Sequence, residues 1–276
     1  MTATRTPVVF IHGLWLHAAS WQPWAELFAQ NGYEPVVEGW PHEPSTVEAA
    51  RRNPEAVANI GIDEITAHYA GIIERLDRAP VVIGHSFGGL ITQKLAGMGL
   101  ARAAVAIDPA QIKGVKPLPL AQLRSSLPGL GNPFNKKHAV ALTAKQFRYG
   151  FGNALTQQES DSLFEKWTIP SPALPLFEAA GANFAKNSPA AVDTANTARG
   201  PLLLISGQLD HTVPDVVTRA AYKLYGDSTA TTELKQFADR GHSLTLDGGW
   251  HGVADYALGW LARQGVQPTT AEAENA

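Results

Sequence analysis

The 276 residues include no cysteine and only two methionines, and just 17% of them are charged. Without cysteine there is no disulfide, no thiolate nucleophile, no Cys-ligated zinc and no iron–sulfur cluster to consider. No apolar stretch approaches the roughly 20 residues that span a bilayer, and Met1 to Thr6 lack the charged-then-apolar pattern of a signal peptide. A cytoplasmic protein with no membrane partner is therefore expected. Strong basicity is missing too. A net charge of -3 offers no general attraction to polyanions, and Lys136-Lys137-His138 is the one short basic cluster, so no nucleic-acid partner is expected. The nine histidines are scattered, without His-Glu-x-x-His, and no Lys follows Gly88-Gly89 to complete a phosphate loop. Neither a metal nor a nucleotide is implied.

Against these absences stands a regular alternation of strand-like and helical segments, the signature of a parallel sheet covered on both faces. Six strands are expected: Val8 to Ile11, Glu34 to Glu38, Pro80 to Ile83, Ala103 to Ile107, Leu202 to Ser206 and Glu233 to Phe237. Helical spacing marks Ala18 to Asn31, closed by Gly32, and Asp63 to Asp77, where Asp63 can accept from first-turn amides. It also marks the segment after Gly88, with Leu90, Ile91, Leu95 and Met98, and Trp250 to Leu261. Residues 110–198 break the alternation with eight prolines, eight aromatics and no clear strand. Long insertions of this kind usually cover a site, so this one reads as a mostly helical lid; a helical subdomain packed for stability alone is the alternative. The core is then 1–109 with 199–265, and 266–276 forms a polar, flexible tail.

The chemistry concentrates at Gly84-His85-Ser86-Phe87-Gly88. A Gly-x-Ser-x-Gly turn between a buried strand and a helix holds the serine at a strained apex, near unpaired helix N–H groups that favour an oxygen becoming negative. A serine hydroxyl needs a base for its proton and an acid to orient that base. Asp210 follows the strand Leu202 to Ser206, and His242 follows Glu233 to Phe237, both at the sheet edge where sites gather. Asp108, at the end of another strand, competes with Asp210 for the acid. His85 adjoins the serine and should point elsewhere, His211 flanks the Asp210 loop, and Asp239 is a turn residue. Backbone amides of Phe87 and of Leu14, in the turn His12-Gly13-Leu14-Trp15, are candidate oxyanion donors.

Taken together, His12-Gly13, the Ser86 elbow, Gly-x-x-Asp210 and Gly241-His242 resemble the α/β-hydrolase fold superfamily over Val8 to about Arg263. That resemblance implies Ser86 as nucleophile, His242 as base, Asp210 as acid, Leu14 and Phe87 as oxyanion-hole donors, residues 110–198 as a cap after the sixth-strand position of the fold, and no cofactor. It points to a serine esterase, and the aromatic, proline-rich lid favours an apolar or aromatic ester of small to medium size. The same framework also serves lactonases, carbon–carbon bond hydrolases, perhydrolases, cofactor-free oxygenases and ligand receptors, and the residues alone leave that choice open, as they do the oligomeric state. Only Met1 to Pro7 precede the first strand, so a sheet trimmed to six strands is expected. The turn Gly39-Trp40-Pro41-His42-Glu43-Pro44 has no assigned role.

Overall fold

The computed structural model describes residues 5–268. Six strands form one parallel sheet: β1 Pro7–Ile11, β2 Glu34–Val37, β3 Val81–His85, β4 Ala103–Ile107, β5 Leu202–Gly207 and β6 Thr232–Phe237. Their spatial order is β2-β1-β3-β4-β5-β6. The chain runs outward from β1 to β2 and then crosses back to β3, which makes the β1/β3 boundary a topological switch point. Ile11 pairs with Gly84 there, so the turns that leave both strands emerge side by side.

Alternate strand residues serve opposite layers. Val8, Phe10, Val81, Ile83 and Val105 pack on α1 (Gln22–Gln30) and α10 (Trp250–Arg263), with Trp24, Phe28, Trp260 and Leu261 as the large fillers. Val9, Ile11 and Val82 face α3 (Ile62–Glu74), α4 (Phe87–Gly97) and α9 (Asp215–Lys223). Because both faces are covered, β1, β3 and β4 read as continuous apolar runs. A further helix, α2 (Val47–Arg52), follows β2.

Several expectations shift in detail. The segment from Ala18 begins as a 3-10 turn, Ala18–Trp21, before α1, and Gly32 closes it at φ 84°. Asp63 does not cap α3. Gly61 is the cap residue, Glu178 accepts from the Ile62 N–H at 2.7 Å, and Asp63 pairs with Lys94 at 3.0 Å. Met98 is 58% exposed at the end of α4. Of the tail expected from 266, Val266 is buried and its carbonyl accepts from the Tyr33 hydroxyl at 2.7 Å, while 269–276 lie outside the described residues.

Between β4 and β5 run α5 (Leu120–Leu130), α6 (Ala144–Gly150), α7 (Gln157–Trp167) and α8 (Leu174–Ala180). The sequence showed no strand here, yet Ala139–Val140 pairs antiparallel with Ser171–Pro172. Two residues per strand are too few to leave an alternating pattern.

Candidate active site

The turn from β3 to α4 holds Ser86 at φ 57° and ψ -120°, a conformation that non-glycine residues rarely adopt. Trp15 at φ 65° and Asp108 at φ 39° share this strain, and the three lie at the ends of neighbouring strands. The glycines make the turn possible by removing atoms. A Cβ on Gly84 would lie 2.2 Å from the Gly88 carbonyl oxygen, and one on Gly88 would lie 2.1 Å from that of Ile11. Gly88→Ala sets a methyl against rigid backbone, so we expect about 3 kcal/mol of destabilisation in urea unfolding; an unchanged midpoint would contradict the packing. Gly13 brings β1's turn onto the serine, where its own Cβ would stand 2.6 Å from Ser86 Cβ.

The structure brings Ser86, His242 and Asp210 to one edge of the sheet. The loops after β5 and β6 run together through Leu209 N–H to Arg240 O at 2.9 Å and Gln208 N–H to Phe237 O at 2.9 Å. They set His242 Nδ1 2.6 Å from Asp210 Oδ2. The other Asp210 oxygen accepts from the amides of Thr212 at 2.6 Å and Val213 at 2.9 Å. Asp108 lies farther from Nδ1, at 4.0 Å, and one amide, Gly207 N–H, donates to it at 2.7 Å. His242 is fully buried between the His85 ring at 4.5 Å and the Phe151 ring at 4.7 Å. Its Nε2 has no hydrogen-bond partner among the described residues.

Burial, and after it the neighbouring Asp210 carboxyl, raise Asp108 well above its ordinary value. Among the described residues no donor serves Asp108 Oδ2. The Asp108 proton is bound in the folded chain and released on unfolding, so above the ordinary carboxylate range stability falls with pH. Asp108→Asn should remove this falling slope, which is at most about 1.4 kcal/mol per pH unit for one proton. Urea unfolding of both proteins from about pH 5 to 7 checks it, and parallel curves would contradict it.

His85 is held neutral. Burial and the neighbouring His242 push its pKa well below the ordinary imidazole value, and its Nε2–H donates to the His242 carbonyl at 2.9 Å. One potential ligand atom from each of His85, Asp108 and His242 lies within 4.8 Å of the others, and all three residues are buried. His211 contacts Tyr149, its Nδ1 3.1 Å from the Tyr149 carbonyl, and Asp239 is 81% exposed beside Arg240.

Leu14, Phe87 and Ser86 line one cavity of about 240 Å³. Neighbouring amides are already committed, Trp15 N–H to Ser171 Oγ at 2.6 Å and Ser86 N–H to Ile107 O at 2.9 Å. Most of the remaining wall is apolar, with Val115, Leu123, Leu130, Leu176 and Val213 among its residues. The insertion is tied to both halves of the site. Trp15 Nε1–H donates to Val140 O at 3.0 Å, Thr212 Oγ1–H to Gly150 O at 2.9 Å, and Asn153 Nδ2–H to Leu209 O at 2.7 Å.

Residues unassigned in the sequence hold the Gly13 turn from behind. Glu43 Oε2 is 3.0 Å from His12 Nε2, its Oε1 accepts from Ala18 N–H at 3.0 Å, and Trp40 stacks on His12 at 5.0 Å. Burial raises the Glu43 carboxyl, but His12, His17 and the Ala18 amide outweigh it and bring the group below its ordinary value. The one signal for this role was an acid between Pro41 and Pro44 with Trp40 just before them.

The comparisons agree with this architecture. A family model described as the alpha/beta hydrolase family matches residues 8–256. Among solved structures, a monoacylglycerol lipase from Paleococcus ferrophilus is 20% identical with a TM-score of 0.64, covering 94% of each chain. A methylesterase from Arabidopsis is 14% identical with a TM-score of 0.65, over 94% of this chain and 99% of its own. A thermophilic esterase from Thermogutta terrifontis is 16% identical with a TM-score of 0.64, over 95% and 92%. No curated protein matches the chain significantly. With a parallel sheet that reverses direction at β1/β3, a strained serine on that boundary and a family match over nearly its whole length, the chain belongs to the alpha/beta hydrolase family.

Proposed function

We propose that this hydrolase cleaves carboxylic esters of small to medium size with an apolar acyl or alcohol part, through an acyl-enzyme on Ser86. The observation that carries the reading is the 2.6 Å pairing of His242 Nδ1 with Asp210, which fixes the ring's tautomer and leaves Nε2 as the basic nitrogen. Nε2 takes the Ser86 proton as Oγ attacks the ester carbonyl, and then gives it to the departing alcohol. Water deprotonated by the same nitrogen releases the acid. The amides of Leu14 and Phe87 stabilise the tetrahedral oxyanion, each worth roughly 2.7–4 kcal/mol. The apolar cavity wall beside Ser86 favours hydrocarbon over sugar or phosphate groups.

The test is a panel of p-nitrophenyl and alkyl esters with matched amides and lactones. Turnover should be highest on apolar esters and weak on the amides. Hydrolysis of lactones alone, or of no acyl compound, would overturn the ester reading.

A further inference from the structure

Helix α5 is turned inside out. Its buried side chains include Gln122 and Ser125, whereas Leu120, Leu123 and Leu127 are 83%, 40% and 59% exposed. At about 100° per residue those three leucines fall within one narrow sector of the helix. The inward polar groups are used: Gln122 Nε2–H donates to Gln111 Oε1 at 2.9 Å, and Ser125 Oγ–H to His211 O at 3.1 Å. The outward leucines have no such account. Leu118, Phe134 and Phe184, also exposed, enlarge the surface, and Leu118, Leu123 and Phe184 belong to the cavity that reaches Ser86. Single exposed leucines are ordinary, but several gathered around a cavity mouth mark an interaction site.

Charge selects the occupant. Residues 110–150 carry seven Lys and Arg and no Asp or Glu, in a chain of net charge -3. Arg124 sits on the leucine face, Lys116 lines the cavity beside Leu118, and Lys136 and Lys137 follow Phe134. Asn135 ties this last turn to α5 through the carbonyls of Pro128 and Gly129, both at 3.1 Å. Among the described residues, none of the seven cations forms an ion pair within 4.0 Å. A second copy would bring seven like charges against these, and residues 269–276 contain no large apolar side chain to cover the leucines. A lipid surface with anionic headgroups meets both demands, apolar depth and negative charge.

We propose that the outer face of α5, with Leu118, Phe134 and Phe184, docks this protein on an anionic lipid surface with the mouth of the Ser86 cavity towards it. The expectation of no membrane partner rested on the absence of a spanning segment. No helix among the described residues is long and apolar enough to cross a membrane, and a helix lying on the surface does not need to be. Entry of an ester from the lipid side rests on the function proposed above, while docking itself does not.

Co-sedimentation of the full chain with vesicles tests it. Binding should be at least about ten-fold stronger to equimolar phosphatidylglycerol and phosphatidylcholine than to phosphatidylcholine alone, and should collapse near 1 M salt, where the Debye length is about 3 Å. Leu120 and Leu127 lie outside the cavity wall, so Leu120→Ser with Leu127→Ser should weaken vesicle binding at least about ten-fold while turnover of a soluble short ester stays unchanged. Lys136→Glu with Lys137→Glu should weaken binding to the anionic vesicles alone. Equal binding to both vesicles, no binding, or binding indifferent to the leucine pair would overturn the proposal. So would a concentration-dependent dimer that the leucine pair abolishes. Ser86→Ala should bind vesicles like the wild type, so failure of the ester reading leaves the docking result intact.

Discussion

Ser86→Ala should lower kcat on any ester the protein hydrolyses by about 10⁶-fold, because in the proposed mechanism nucleophile, base and acid act as a unit and the loss of one disables the others. KM should change little, since the cavity walls remain. Stability should also hold: alanine keeps the backbone at φ 57° that the surrounding glycines permit, and the substitution removes one oxygen from a residue that is 4% exposed. The result is therefore a folded protein with residual turnover, seen as an unchanged melting curve beside a collapsed steady-state rate. Turnover within about ten-fold of wild type would remove the covalent step from the mechanism.

The second large effect separates the two acids. Asp210→Asn should lower kcat by about 10⁴-fold, as the corresponding change does in the serine-protease template, because the amide imposes the wrong histidine tautomer. Asp108→Asn should cost less than about ten-fold, because asparagine has the shape of the neutral carboxylic acid that burial and Asp210 produce at this position. The geometry gives the reason for the asymmetry. Asp210 is offered His242 Nδ1–H and two backbone amides, whereas Asp108 receives one amide and stands 4.0 Å from the ring. Steady-state rates of both variants on one ester decide the matter, and a larger loss at Asp108 would transfer the acid's role to it.

The sheet was legible because parallel strands buried on both faces must be apolar throughout, as Val81 to Ile83 and Ala103 to Ile107 are. The Ser86 turn was legible for a steric reason, since glycine alone fits where Gly84 and Gly88 meet backbone oxygens. Asp210 was favoured over Asp108 in the sequence although both end strands, and the geometric reason, 2.6 against 4.0 Å, leaves no sequence pattern. Partners distant along the chain were hidden for the same reason. Ser171 reaches the Trp15 amide across 156 positions, and Glu178, not Asp63, accepts from the Ile62 amide at the start of α3 across 116. Neither leaves a local pattern. Helix α5 left no usable pattern either, because its leucines lie on the face turned away from the core.

The most direct measurement is intact mass after exposure to an alkyl fluorophosphonate, which reacts fastest with a serine whose proton a base removes. The wild type should gain one adduct that peptide mapping places on Ser86, and Ser86→Ala should gain none. A folded wild type that stays unlabelled, or a label carried by any other residue, would contradict an activated serine at this site.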